Sequence, residues 1–496
     1  MAGIGFELKK MFSKKGLLSA LQAYGYAGVV CVGPMILGVA LLFGISALAG
    51  QAGADEHTTR LLNSMVTYTL LISMVLTNTF SLVTTRFTAD QIFINEKNKI
   101  LASFWGSICI MLVVGGIGYG VFLSYAGISL LYQILCLVFF GELVFVWTEM
   151  NYLTAIKDYK GIMITFFCAL VAAWTAGYGL IHIGMDIITA LMLAVIIGYG
   201  LMMCIYYYLI ALYFPKKQSG AFYFLKWADR YPQLAPLGAF ISLGLFGHLV
   251  IMWTGNAGQQ IQGLFYGAPT YDIPALLAFL SILVTTINFV TSVEVNFYPQ
   301  YRNYFSLFND GGSLMDIEQA EKEMKATLSQ ELTYTFTKQL FATVVFIVAG
   351  TFLLPLFSLG MTEDMLGIYR VLCIGYAFYA VGNCAMLLQL YFSDNTGALI
   401  SVSSFMVVSC IGTFALRNSG VKFYGLGFLM GSMIFAFVSL GLLAAYLSKI
   451  RYHVLCKQPI IKVERATSIT RLSDWSEKHF EKKNPRKAVV KEDDEL

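Results

Sequence analysis

The chain has 496 residues, of which 57% are apolar and 12% charged, and a water-soluble domain carries about twice that charged fraction. Its nine cysteines include no Cys-x-x-Cys pair and its five histidines are scattered. A disulfide scaffold, a zinc ribbon and a multi-histidine metal centre are therefore excluded. The composition is that of a polytopic all-α membrane protein, with no cofactor and no nucleic-acid partner expected.

In chain order, residues 1–18 come first. Ile4, Leu8 and Met11 recur at helical spacing among Lys9, Lys10, Lys14 and Lys15. That pattern fits a short amphipathic helix on the inner leaflet, and equally a solvated basic start. Apolar runs long enough to cross a bilayer then follow at roughly 23–49, 61–83, 100–124, 129–153, 161–183, 187–214, 234–254, 271–295, 335–357, 369–392, 398–416 and 424–447. The first is too long for a cleaved leader and lacks its small-residue site. Each run must be helical, because a chain in hydrocarbon has to satisfy its own backbone polar groups.

Twelve spans place both termini on one side. With that arrangement 29 of the 33 basic residues fall on the side of the termini, against Arg60, Arg370, Arg417 and Lys422 on the other. The positive-inside rule makes the termini cytoplasmic.

The chain also resembles itself. AYGYAGVVCVGPMILGVALL from Ala23 is matched by PLGAFISLGLFGHLVIMW from Pro236, and LTNTFSLVTTRFTADQ (76–91) by TTINFVTSVEVNFYPQ (285–300). AIKDYKG, ending at Gly161, parallels LYFSDNTG, ending at Gly397. Six spans per half make this a parallel 6+6 repeat, an arrangement used by transporters. The expected organisation is an interfacial helix (1–18), a six-helix bundle (19–214), a cytoplasmic linker (215–233), a second bundle (234–450) and a partly disordered cytoplasmic tail (451–496).

The inner loop 296–334 is the longest internal one. Gly311–Gly312 breaks the chain, Ser313 with Asp316 makes a cap, and Ile317, Met324 and Leu328 form a stripe. Such a stripe docks on this chain or on a cytosolic partner. In the tail, Leu472, Trp475, His479 and Phe480 point to an amphipathic turn or two.

Within the spans, Glu142 and Glu149 are seven residues apart and so share one helix face. Carboxylates are too costly to face lipid, so they face the bundle interior, with Arg86 as a plausible partner for Glu149. They serve proton coupling, a hydrophilic path, or a structural ion pair. Tyr24, Tyr26, Asn78, Asn288, Asn383 and Gln389 offer the aromatic faces and amides a glycan needs, although core packing also uses such residues. Pro34 can bend the first span, Glu294 can act as a gate charge at the end of the eighth, and His248 is a gating or packing residue.

The opening MAGIGFELKKMF, followed by GLLSALQAYGYAGVVCVGP, resembles the start of the PelG family, the polytopic subunit of Pel exopolysaccharide systems, with similar character over about residues 1–455. That resemblance implies a V-shaped pair of six-helix bundles, like those of multidrug/oligosaccharidyl-lipid/polysaccharide exporters. It further implies a non-enzymatic role in the bacterial cytoplasmic membrane. There the chain would pass a growing N-acetylhexosamine-rich polymer outward through a cavity between the bundles, with a PelF-like cytosolic glycosyltransferase and PelD-like and PelE-like membrane subunits as partners. A cation-coupled drug or lipid-linked oligosaccharide antiporter of the same fold, and a non-transporting scaffold of a synthase complex, are the alternatives.

Overall fold

The computed structural model describes residues 40–156, 158–215, 220–309, 311–356, 360–456 and 467–482. The expected interfacial helix 1–18 and most of the first span, with Tyr24, Tyr26 and Pro34, lie outside the described residues. The described end of that span is helix α1 (Ala40–Gln51). The helices that follow are α2 (Glu56–Phe93), α3 (Ile100–Tyr125), α4 (Leu130–Ile156), α5 (Tyr159–His182), α6 (Ile187–Tyr213), α7 (Leu225–Arg230) and α8 (Leu234–Trp253). A two-stranded sheet, β1 (Gln259–Gln262) with β2 (Phe265–Gly267), precedes α9 (Pro269–Phe279), α10 (Leu283–Ser292), α11 (Tyr298–Asn309) and α12 (Leu314–Leu353). The chain then forms α13 (Glu363–Tyr391), α14 (Asn395–Leu416), α15 (Leu426–Ser448), α16 (Ile450–Leu455) and α17 (Ser468–Lys482). Among the described residues, eleven helical runs are long and apolar enough to cross a membrane.

Side chains start these helices. Asp55 accepts from the amide of Thr58 at 3.1 Å to cap α2, and Asp186 accepts from that of Thr189 at 3.1 Å to cap α6. Hydrogen bonding from Thr58 holds the Asp55 carboxyl below its ordinary range. Asp158 caps α5 through the amide of Gly161 at 3.0 Å, and Asp394 caps α14 through that of Gly397 at 3.1 Å. The aligned segments DYKG and DNTG thus make the same cap. A β-carbon on Gly161 would lie 2.7 Å from its aspartate's oxygen and one on Gly397 2.1 Å, so at both starts the carboxylate folds close over the glycine, whereas threonine holds the same place in the caps of α2 and α6.

Two compact units divide the chain. The first comprises residues 41–242, 261–265 and the C-terminal helix α17, so its boundary falls inside α8 rather than in the linker 215–233. In it α5 and α4 both pack on α6, and α2 packs on α4. A β-carbon on Gly198 of α6 would be 2.9 Å from the Ala169 carbonyl of α5, a close small-residue crossing. Buried phenols are partnered: Tyr119 with Thr69 at 2.7 Å, Tyr152 with Ser103 at 2.9 Å, and Tyr206 donating to the Ile162 carbonyl at 2.9 Å.

The second unit holds residues 243–260 and 266–458. Its helical run from Pro269 to Asn309 is interrupted by Pro274, by a 3-10 turn at Leu280–Ile282 and by a π-helical turn at Val293–Phe297. The helix expected within the inner loop 296–334 forms: α11 ends near Gly311 (φ +76°), and Ser313 caps α12. That helix continues unbroken for 40 residues into the predicted span 335–357.

Candidate functional site

In the first unit, both acidic side chains of α4 turn toward α6. A β-carbon on Gly200 would lie 3.1 Å from Glu142 Oε1, which places that carboxyl on the α6 backbone where the absence of a side chain makes room. Glu149 is completely buried. Neither Glu149 oxygen, nor Oε2 of Glu142, has a hydrogen-bond partner among the described residues. Arg86 does not join them. It sits 3.3 Å from Asp90 on its own helix and 5.1 Å from the centre of the Tyr231 ring. The anticipated Arg86–Glu149 pair does not form; Arg86 meets the i,i+4 carboxylate of its own helix instead. An unpaired carboxyl inside a membrane bundle is expensive, and such groups mark proton or cation sites more than packing.

Asn78 donates to the Ser242 hydroxyl at 2.8 Å, joining α2 to α8. It is spent on packing.

In the second unit a polar seam runs between α10 and α12. Asn288 donates to Thr335 at 2.8 Å and accepts from Lys338 at 2.8 Å. Lys338 also stands 4.2 Å over the Tyr334 ring. Thr285 donates to Gln339, whose amide donates to Thr343 at 3.0 Å. Toward the other end, Glu331 accepts from Ser292 and, at 2.8 Å, from Asn296 in the π-helical turn. A cavity of about 10 Å³ adjoins Ser292, Glu331, Thr335 and Leu328, enough for one water and far too small for a sugar. Sequence reasoning found Asn288 but missed Lys338, Gln339 and Glu331. The signal was there: Glu331, Thr335, Lys338 and Gln339 recur at helical spacing across a predicted loop–span boundary.

The other residues scatter. Gln389 is buried, donating to the Ser439 carbonyl at 3.1 Å and accepting from Ser401 at 3.5 Å, and so ties α13 to α15 and α14. His248 is buried in an aromatic cluster, its Nδ1 2.8 Å from the Tyr271 hydroxyl and its ring centroid 4.4 Å from that of Phe428. Asn383 is half-buried on α13. The backbone of Glu294 belongs to the π-helical turn, and its side chain lies outside the described residues.

The stripe on α12 is also accounted for. Met324 and Leu328 are buried with Tyr304, Leu388, Leu443 and Ile450, and Ile317 packs on the same cluster. Docking of Ile317, Met324 and Leu328 on a cytosolic partner is thus corrected: their stripe is consumed by this chain. Arg451 of α16 clamps the arrangement, donating to Glu318 at 2.9 Å and to Glu321.

No curated protein matches the sequence. Solved structures do. An outward-facing multidrug-resistance transporter of the MATE family in the MOP superfamily aligns with a TM-score of 0.60 at 14% identity, covering 86% of this chain and 96% of its own. A MOP-superfamily transporter from Pyrococcus furiosus gives 0.60 at 11%, with the same coverage. An inward-facing MATE transporter gives 0.54 at 13%, over 86% and 99%. At these identities the likeness establishes the fold: a nearly all-helical, MATE-like membrane protein. Family membership comes from the sequence, since residues 1–455 match the family described as "PelG: Putative exopolysaccharide Exporter (EPS-E)". The chain is a member of the PelG family.

Proposed function

We propose that this protein passes a growing N-acetylhexosamine-rich, Pel-type exopolysaccharide outward across the bacterial cytoplasmic membrane, through its membrane-embedded helices. Both termini are cytoplasmic in this reading. A PelF-like glycosyltransferase feeds the polymer in, PelD-like and PelE-like subunits complete the assembly, and the chain performs no covalent chemistry of its own. The observation that carries the proposal is the family match, which spans all eleven helical runs long and apolar enough to cross a membrane among the described residues. Among the described residues there is no cluster of His, Cys, Asp and Glu that could hold a metal ion.

Deletion of the gene tests it. Export predicts that secreted polymer disappears while the glycosyltransferase retains activity on free acceptors in lysates. Normal secretion without this chain overturns the proposal. A scaffold role also predicts lost secretion, so the deciding measurement is a photo-crosslink from a membrane-buried position on α4 or α12 to nascent polymer.

One observation favours a second reading, a cation-coupled antiporter of drugs or lipid-linked oligosaccharides: the buried Glu149 carboxyl and the half-buried Glu142 beside it on α4, with oxygens that find no hydrogen-bond partner among the described residues. Gradient-driven uptake into proteoliposomes, lost in Glu142→Gln, supports it, and uptake indifferent to the gradient counts against it.

A further inference from the structure

Helix α17 is inside out for a helix in water. The side it turns to the protein is polar. The backbone amide of Thr470 donates to Asp229 at 2.9 Å and its hydroxyl donates to the same carboxylate. Ser473 is fully buried and donates to the Phe222 carbonyl at 3.1 Å, and Asp474 pairs with Lys226 at 2.7 Å. The side it turns outward is apolar: Ile469, Leu472 and Trp475 are 42%, 57% and 62% exposed. At 100° per residue, these three lie nearly opposite Thr470, Ser473 and Asp474. Exposed Arg471 and Lys478, seven residues apart, share one edge beside the apolar face.

The docking site places this helix close to the membrane boundary. Helix α7 is tethered between two membrane-crossing helices, α6 ending at Tyr213 and α8 starting at Leu234, with Arg230 of α7 four positions before Leu234. A helix held so tightly stays at the membrane boundary. A helix packed on it lies about 8–10 Å away, axis to axis, within reach of the same boundary. Aliphatic residues with tryptophan, flanked by a basic edge, suit the headgroup level of an anionic leaflet.

We infer that α17 is a membrane-surface anchor. Its Ile469–Leu472–Trp475 face enters the interface of the bilayer on the α7 side, Arg471 and Lys478 meet anionic lipid headgroups, and Asp229 and Lys226 hold the helix in that orientation. The occupant of the face is lipid. This inference does not depend on what the protein exports.

Full-length protein in nanodiscs decides it. Brominated phosphatidylcholine, with and without phosphatidylglycerol, is used to quench tryptophan fluorescence, and wild type minus Trp475→Phe isolates the Trp475 component. That component is expected to be quenched when phosphatidylglycerol is present. The quenching is expected to be lost in Leu472→Glu and weakened roughly fivefold for each of Arg471→Gln and Lys478→Gln. Hydrogen exchange over residues 468–482 checks that α17 remains docked on α7 in each variant. A Trp475 component that is unquenched with α17 docked overturns the inference, as does burial of Trp475 only after a soluble protein fraction is added. Quenching that is equal with and without phosphatidylglycerol overturns the role given to Arg471 and Lys478.

Discussion

The carbonyl oxygen of Asn78 lies 1.9 Å from the point a β-carbon on Gly238 would occupy. One turn further along α8, the Asn78 amide reaches Ser242. Helices α2 and α8 therefore meet backbone to backbone, which hydrocarbon favours because dispersion and close polar contact replace the hydrophobic drive available in water. Gly238→Ala is expected to lower stability by about 3 kcal/mol, the upper end of the overpacking range. Asn78→Ala, which removes one partly buried hydrogen bond, should cost about 1 kcal/mol. Thermal unfolding in detergent gives the ranking, and an equal loss for the two variants would mean that the glycine is not the tight point.

A second close crossing makes the same demand on α15. β-Carbons on Gly427 and Gly431, four residues apart, would stand 2.2 Å from the Thr413 amide nitrogen and 2.7 Å from Ser409 of α14. Gly431→Leu should prevent α14 and α15 from seating. The expected result is aggregation on size-exclusion chromatography, with membrane insertion retained because hydropathy is unchanged. A monodisperse Gly431→Leu protein with a native melting temperature would contradict the close packing.

The spans were legible because hydrocarbon leaves the backbone no alternative to the helix. The segments ending at Gly161 and Gly397 were legible as a repeat, but that their aspartates cap helices was not read from the sequence. Where helices stop was harder to read. Residues 314–334 are polar enough to count as a loop, yet Glu, Lys, Gln, Met and Leu are strong helix formers, and Ser313 starts a helix that has no reason to end at the membrane surface. The β1–β2 hairpin was invisible because its register depends on a tertiary contact: Gly263, at φ +55°, sits 2.0 Å at its would-be β-carbon from the Ala126 carbonyl. For the candidate site, the shared face of Glu142 and Glu149 followed from helical spacing alone. Partners did not. Arg86 had a nearer aspartate, and Gln389 and Asn78 were consumed in packing that only three-dimensional placement reveals.

The Asp229 carboxyl sets the pH behaviour of α17. Burial pushes it upward, but hydrogen bonds from Thr467 and Thr470 more than offset this and hold it below the ordinary carboxylate range. A depressed folded-state value means that its contribution to docking is complete above the unfolded value of about 3.9 and is lost as pH falls through the lower folded value. Exchange protection of residues 468–482, corrected for intrinsic rates, should therefore be flat from about pH 5 to 8. Asp229→Asn, which keeps an acceptor but removes the charge, should lower it throughout that range. Protection that declines between pH 7 and 5 would point to a different titrating group.

Arg451 holds α16 to the opening turns of α12 through Glu318 and Glu321, and Lys325 shares Glu321 at 2.6 Å. Arg451→Ala leaves the mostly buried Glu321 with a single cation. The expected effect is local: faster amide exchange in 450–455 and 314–321, with the melting temperature nearly unchanged because Arg451 is itself solvent-accessible and Lys325 still pairs with Glu321. Arg451→Lys restores a charge but not the two-armed geometry and should recover only part of the protection. Unchanged exchange in Arg451→Ala would show that apolar burial around Met324 and Leu328 suffices to hold the joint.

The two carboxyls on α4 give the sharpest functional test, because the isosteric amide changes charge and proton affinity while keeping shape. Glu149 is fully enclosed and Glu142 rests against Gly200, so glutamine fits both sites without new volume. If these groups only fill space, Glu149→Gln should secrete polymer at wild-type levels and melt at a higher temperature, since a buried group that cannot ionise is less costly than one that can. If they bind a proton or cation during transport, secretion should fall while folding is preserved. Neither Glu149 oxygen finds a hydrogen-bond partner among the described residues, which favours the second outcome. The expected result is a drop of at least about tenfold in secreted polymer for Glu149→Gln, equivalent to about 1.4 kcal/mol on the limiting step. Glu142→Gln should show a smaller loss, because that carboxyl is only half-buried. Wild-type secretion in both variants, at matched membrane abundance, would remove α4 from the transport mechanism.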